Sequence, residues 1–248
     1  MCTVFCRWDP SAAIPILMLT LRDELASREF DGPGAWWPEQ PSVIGGRDRS
    51  AGGTWCASDL RAGATSVVLN RPERRTAEPG AASRGVLPLL ALRHREDWPD
   101  FIDIAPMASF NLVLATPGAL TWWSFDGARL QRYELAPGTH MFKPDGQAAP
   151  SDERFMDRLT GVSPSLAGTT EQLWAGWLAP LEAAEPVPEP GALLVRMPVE
   201  GDSYETVYGQ FIAARPGLLR VDYAYQLGHS ASGEVAEWSS RQWAEPSP

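Results

Sequence analysis

The sequence predicts an α+β fold built as one domain over residues 1–248. Three observations lead there. Candidate strands come first, candidate helices follow in the middle, and strands return near the end, an order that fits a layered α+β fold better than alternating βαβ units. The 248 residues are enough for one substantial core. No internal repeat or low-complexity tract divides them.

Residues 3–8 and 15–21 read as two strands around the turn Asp9-Pro10-Ser11. Thr3, Phe5 and Arg7 alternate with Val4, Cys6 and Trp8, and apolar residues in both sets suit a strand buried on both faces. Residues 25–53 are rich in Gly, Pro and Arg and read as a long loop of the functional or disordered kind. Residues 55–58 and 64–70 form a hairpin around Leu60-Arg61-Ala62-Gly63, followed by a polar loop over 72–85. Residues 86–104 read as helix, broken near Pro99. Residues 111–116, 120–124 and 130–134 form a meander with turns at Pro117-Gly118 and Asp126-Gly127. Ser151 caps a helix to Leu159, with Asp152 and Glu153 in its first turn. Thr169 or Thr170 caps another to about Leu181, with Leu173, Trp177 and Leu181 on one face. A Glu/Pro-rich connector covers 184–191; residues 192–199, 206–214 and 218–225 return as strands, and the tail, about 241–248, is expected to fray.

The net charge of −10, with no run of Lys and Arg, argues against nucleic acid as a partner and against docking on an anionic membrane. The start shows no signal-peptide pattern, and the longest apolar run, residues 12–21, contains Pro15 and is too short to cross a bilayer. These points predict a cytoplasmic protein without stable membrane insertion. Cys2, Cys6 and Cys56 do not resemble a disulfide framework, and the three His lack paired zinc-ligand spacing, so no metal is expected. Most of the eleven Trp read as core, but several fall in Gly/Pro-rich loops and point to an aromatic-lined pocket for a small apolar ligand; Trp37 and Trp55 are its candidates.

Cys2 follows Met1 directly. Removal of Met1, which a small second side chain favours, would leave a thiol and a free α-amine on one residue. With pKa values of ~8.5 and ~7.7–8.0, these groups exchange a proton near neutral pH, which makes a nucleophile with its own base. On position alone Cys2 also reads as a buried, inert strand cysteine. The blocks that follow are Leu21-Arg22-Asp23-Glu24, Ser27-Arg28, Pro33-Gly34-Ala35-Trp36-Trp37, Gly45-Gly46-Arg47-Asp48 and Gly52-Gly53-Thr54-Trp55. After them come Leu69-Asn70-Arg71, Ser83-Arg84-Gly85 and Phe110-Asn111-Leu112. In this order, over residues 1–125, the chain resembles the NRDE family, also called the Transport and Golgi organisation 2 family; the likeness weakens toward Tyr208-Gly209.

The resemblance implies an Ntn-hydrolase-like four-layer αββα sandwich with two mostly antiparallel sheets, its nucleophile at the start of the first strand between them. Similarity to cysteine N-terminal nucleophile (Ntn) hydrolases of the bile-salt hydrolase and penicillin V acylase type implies roles for four residues. Cys2 is the nucleophile; Arg22 holds its thiolate or a substrate carboxylate; Asp23 fixes the α-ammonium; Asn70 donates to the oxyanion. Glu24 orients Arg22 or Arg28. Asn111, as a strand-level hydrogen-bonding residue, and His140, facing the pocket, join Trp37 and Trp55 on the substrate side. Gly52-Gly53-Thr54-Trp55 reads as a tight bend allowing close backbone approach. Cys6 shares a face with Cys2 and reads as core. The chain departs from the family in having Leu21 where Asn is usual, no Asn in Gly138-Thr139-His140-Met141-Phe142, and no late Arg near Tyr208-Gly209-Gln210-Phe211. The reading is an amidohydrolase or acyltransferase acting on a small amide or thioester without a cofactor. The alternative is a non-catalytic binder of haem or of lipid or acyl-CoA on the same fold.

Overall fold

Alternation along the first hairpin sorts side chains between two cores. The computed structural model describes residues 2–73, 76–147, 167–189, 192–229 and 237–245. Strands β1 (Cys2–Trp8) and β2 (Ile16–Leu25) pair antiparallel. Val4, Cys6, Trp8, Ile16 and Met18 enter one apolar cluster, while Phe5, Leu17, Leu19 and Leu21 enter another. Period-two alternation with apolar residues on both faces marks this hairpin as the interior of a sheet covered on both sides.

The next strands are β3 (Phe30–Gly34), β4 (Val43–Asp48), β5 (Cys56–Asp59) and β6 (Ala64–Asn70). Helix α1 (Leu87–His94) follows and continues as a 3-10 turn over Arg95–Phe101 that contains Pro99. Then come β7 (Phe110–Ala115), β8 (Leu120–Phe125), β9 (Leu130–Leu135), β10 (Gly138–Lys143) and β11 (Gly146–Gln147). Helix α2 (Thr170–Glu182) precedes β12 (Arg196–Val199), β13 (Asp202–Arg215), β14 (Leu218–Tyr225) and β15 (Ser239–Ala244). Among the described residues these strands make two antiparallel sheets. One has eight strands in the order β11-β10-β1-β2-β13-β14-β15, with β12 also on β13; the other has seven, running β3 to β9 in chain order. The chain is thus mostly β, with two α-helices among the described residues.

Three apolar clusters hold these elements together. The first joins inner faces of both sheets: Val4, Cys6, Met18 and Ile212 meet Ile44, Trp55, Val67 and Val113. The second packs Leu173, Trp174, Trp177 and Leu178 of α2 on Phe5, Leu19 and Phe211 of the eight-stranded sheet. The third packs Leu87, Ala91 and Leu92 of α1, with Trp98, on Val68, Leu112 and Trp123 of the other. Each fully buried large side chain contributes roughly 1.5–3 kcal/mol. Of the two candidate caps Thr169 is the one used, in a reciprocal box with Gln172.

Four expectations change. Residues 25–53 are not one loop: β3 and β4 lie within them, and the Pro33 and Gly residues are tolerated because β3 is an edge strand with an irregular register between Asp31 and Gly34. The second strand does not end at 21; β2 runs on through Arg22, Asp23 and Glu24 because β1 and β13 pair along both its sides. The residues around His140 form β10, which leaves the meander and pairs with β1 in the other sheet. The tail does not fray at 241, because β15 covers the free edge of β14 and Arg241 donates to Pro33 O. The helix expected over 151–159 lies outside the described residues.

Candidate active site

The register of the first hairpin sets Cys2 directly opposite Arg22. Both follow the even-numbered face, toward the core between the sheets. Cys2 is half-buried, whereas Arg22 is only 4 % exposed. On its other side Arg22 faces Tyr208 across β13, next to a register shift between Thr206 and Tyr208. Such bulges redirect side chains beside functional sites.

The Arg22 guanidinium lies over the Trp55 ring at 4.4 Å and the Phe30 ring at 4.8 Å. Its Nη2 donates to Asp48 Oδ2 at 3.1 Å and stands 3.9 Å from Glu24 Oε2. Its Nη1 is buried without a hydrogen-bond partner among the described residues. A buried donor left unpaired costs about 1–3 kcal/mol, so this geometry favours an incoming acceptor. Asp48 is shared: Arg28 donates Nε to Oδ2 at 2.7 Å and Nη2 to Oδ1 at 3.2 Å. The Ser50 and Ala51 N–H groups also donate to Oδ1, organising the turn after β4. Burial alone would raise the Asp48 carboxyl, but the hydrogen bonds from Arg28 and Ala51 and the charges of Arg28 and Arg22 outweigh it and hold its pKa below the ordinary value.

Asp23 emerges on the opposite face of β2. Its Oδ1 accepts from Thr206 Oγ1 at 2.7 Å, and its backbone oxygen accepts from the Tyr204 hydroxyl at 2.9 Å. Burial raises its pKa to about 6. Burial also pushes the Cys2 thiol up, and the Asp23 charge acts the same way; Arg22 and a hydrogen bond from the Asp23 backbone oppose them without prevailing. Cys2 therefore rests as a thiol at neutral pH and needs a base to attack.

The bend before β5 brings in a second guanidinium. Gly52 has φ +72°, and a side chain on Gly53 would come within 2.5 Å of the Gly85 backbone. Thr54 N–H donates to Gly85 O at 2.8 Å, so the bend seats Ser83-Arg84-Gly85 beside Trp55. Arg84 Nη1 donates to Ser109 O at 2.8 Å, at the start of β7. Burial lowers the Arg84 pKa, while the nearby Cys2 and Glu24 act to raise it.

Two inter-sheet ties give the ends of the structure. Trp8 Nε1 reaches Thr116 O at one end; Asn111 Nδ2 reaches Lys143 O and Pro144 O at the other. Asn70 ends β6 opposite Phe110 and so lies at the Cys2 end, exposed, with no side-chain hydrogen bond among the described residues. Glu24 stands between Arg22 and Arg28, at 3.9 and 3.8 Å. Trp55 lies against the Arg22 guanidinium. Trp37 packs instead on the outer core of the seven-stranded sheet and donates to Gly52 O. Asn111 is fully committed, its Oδ1 accepting from Trp122 Nε1. His140 pairs with Cys6, four residues along β1 from Cys2, or about 13 Å at the usual rise, and its Nε2 bonds Ala136 O. Cys6 is fully buried, and burial pushes its thiol up to about 12.

Asp48, Arg84 and Thr206 are the neighbours that sequence reasoning assigned no role. The first two stand in recognisable short blocks. Thr206 lies 183 positions from Asp23 and carries no local signal. Among the described residues no group of three or more His, Cys, Asp or Glu could hold a metal ion, and no helix is long and apolar enough to cross a membrane.

A profile of the family described as Transport and Golgi organisation 2 matches residues 1–143. The match covers Cys2, Arg22, Asp23, Asp48, Asn70 and Arg84 and ends with β10. No curated protein matches the chain.

Proposed function

Because the chain belongs to the Transport and Golgi organisation 2 family, we propose that it is a cytoplasmic cysteine N-terminal nucleophile enzyme, an amidohydrolase or acyltransferase acting on a small amide or thioester. The observation that carries this reading is the half-buried Cys2 opposite a buried Arg22 whose Nη1 has no partner among the described residues. The stacking of α1, the two sheets and α2 around three cores supports reading the fold as an Ntn-type αββα sandwich.

In this mechanism, loss of Met1 frees the Cys2 α-amine. The amine takes the thiol proton, and the thiolate adds to the substrate carbonyl. Asn70, at the same end of the molecule, and Arg22 Nη1 donate to the oxygen that becomes negative. The intermediate collapses with cleavage of the C–N or C–S bond, the α-ammonium protonates the leaving group, and a Cys2 thioester forms. Water or an acceptor nucleophile then releases the acyl group, giving up its proton to the α-amine. Asp23 beside Cys2 favours the ammonium state, and Glu24 with Asp48 holds Arg22 in place.

One observation favours a second reading. Phe30, Trp55, Tyr208 and Tyr225 form a ring cluster with centroid separations of 5.4–5.8 Å beside Arg22. Such a wall suits a carrier of an apolar ligand, whether haem, lipid or acyl-CoA, that does no chemistry. Intact mass and turnover on a panel of acyl p-nitroanilides and thioesters separate the two. The enzyme reading expects a mature chain lacking Met1, and a Cys2→Ser variant with an unchanged unfolding midpoint and turnover reduced by about 10²-fold or more. Full turnover by Cys2→Ser, or retained Met1 with a stoichiometric apolar ligand, overturns it.

A further inference from the structure

We infer that Arg84 is a specificity residue of the Cys2 site and binds a carboxylate carried by the acyl substrate; this rests on the acyl-transfer reading above. The argument begins with how firmly the chain holds Arg84. Ser83 Oγ accepts from Gly85 N–H, and Gly85 O accepts from Thr54 N–H. Gly53 lies so close to the Gly85 backbone that neither stretch can shift alone. At the far end of the side chain, Nη1 is fixed by Ser109 O, and Ser109 is itself doubly bonded to the Arg71 backbone. The guanidinium is therefore positioned on one nitrogen, with its remaining N–H groups able to serve a ligand.

The balance of charge supplies the second step. Around Cys2, Arg22 and Arg28 are matched by Asp48 and Glu24, each carboxylate lying within 4 Å of both. Arg84 has a carbonyl partner but, among the described residues, no carboxylate within 4 Å. Thr54, next to the Trp55 ring that lies under Arg22, anchors Gly85 and so sets Arg84 at the Cys2 end, where its charge acts with Cys2 and Glu24. A half-buried guanidinium with no counterion among the described residues marks a locally positive spot in a chain of net charge −10. A fixed positive charge of this kind attracts anions, and a planar guanidinium matches a carboxylate in two-point geometry. The unpartnered Nη1 of Arg22 supplies a further donor for the oxygen atoms of the same substrate.

The test is alkylation of Cys2 by iodoacetate, an anion, against iodoacetamide, its neutral counterpart, with adducts mapped by mass. Cys6 and Cys56 are fully buried and do not compete. The ratio of the two rate constants cancels the fraction of thiolate, so a merely structural Arg84 would not move it. The native protein should show a ratio about tenfold above that of free cysteine, falling as salt rises. Arg84→Gln should bring the ratio down to that of free cysteine, and Arg84→Lys should restore part of it. A native ratio equal to that of free cysteine, or no change in Arg84→Gln, overturns the assignment while leaving acyl transfer at Cys2 intact. Failure of both reagents to label Cys2 overturns the acyl-transfer reading and the carboxylate site together.

Discussion

Arg22 with Asp48, which joins β2 to β4 across the two sheets, and Arg220 with Asp222, which lies within β14, are both buried guanidinium–carboxylate pairs, and they are finished differently. Arg220 donates Nε and Nη2 to the two oxygens of Asp222 at 2.8 Å each and Nη1 to Gly168 O at 2.8 Å. Asp222 also accepts from Thr170 Oγ1 and Trp174 Nε1, both on α2. This pair therefore pins α2 to β14, and burial of its charges is matched by hydrogen bonds throughout. Arg22 makes one hydrogen bond to a carboxylate it shares with Arg28, rests on two aromatic rings, and keeps Nη1 without a partner among the described residues. A finished pair fastens the fold; an unfinished one beside a half-buried thiol holds a donor for a substrate.

The largest effect that could break this comparison is at Asp222. Asp222→Ala removes the carboxylate from a buried Arg220 and should cost about 3–5 kcal/mol in denaturant unfolding. A cost under about 1 kcal/mol would remove its role as the fastening of α2.

Asp23, next to Arg22 on β2, and Asp222 should respond to pH with opposite sign. Burial raises Asp23 from 3.8 to about 6, so its contribution to stability is fully present below 3.8 and is lost as pH rises through about 6. Asp23→Asn should therefore gain about 3 kcal/mol at neutral pH and flatten the stability curve between about pH 4 and 6. Asp222 shows the reverse. Burial would raise it, but hydrogen bonds from Arg220, Trp174 and Thr170 lower it, so its contribution is present above the ordinary carboxylate pKa and lost as pH falls through its lowered folded value. Parallel pH curves for native protein and Asp23→Asn would show that Asp23 is not held high.

The smallest stability change is expected at Arg22. In Arg22→Met the lost hydrogen bond to Asp48 is offset by removal of an unpaired buried donor, and Arg28 remains on Asp48. Unfolding free energy should stay within about 1 kcal/mol of native, while Cys2 alkylation slows by about tenfold. A loss of 3 kcal/mol or more would make Arg22 a fastening like Arg220.

Much of the first hairpin was legible because its signals are local. The alternation of Val4, Cys6 and Trp8 with Phe5, and of Met18 with Leu19, follows from the two-residue period of a strand. The Thr169–Gln172 capping box and the meander turns are equally local. The short blocks pointed to Cys2, Arg22, Asp23 and Trp55, which the fold brings to one end of the molecule, and to Asn70, which lies at that end. They also pointed to Asn111, which lies at that end with its amide spent on Lys143, Pro144 and Trp122, and to Trp37 and His140, whose hydrogen bonds and packing lie elsewhere.

By itself, then, the sequence determined which residues alternate, where helices start, and that a Cys next to the first Met is followed by an ordered set of Arg, Asp and Gly blocks. The tertiary structure alone decided that β2 continues through Arg22-Asp23-Glu24, that β10 crosses to β1, and that Gly53 stacks on Gly85 to bring Arg84 toward Cys2. It also decided which arginine is satisfied and which is not. The physical reason is that helix caps and strand alternation are set within a few residues, whereas strand pairing and the matching of buried charges depend on partners up to 183 positions away, as between Asp23 and Thr206.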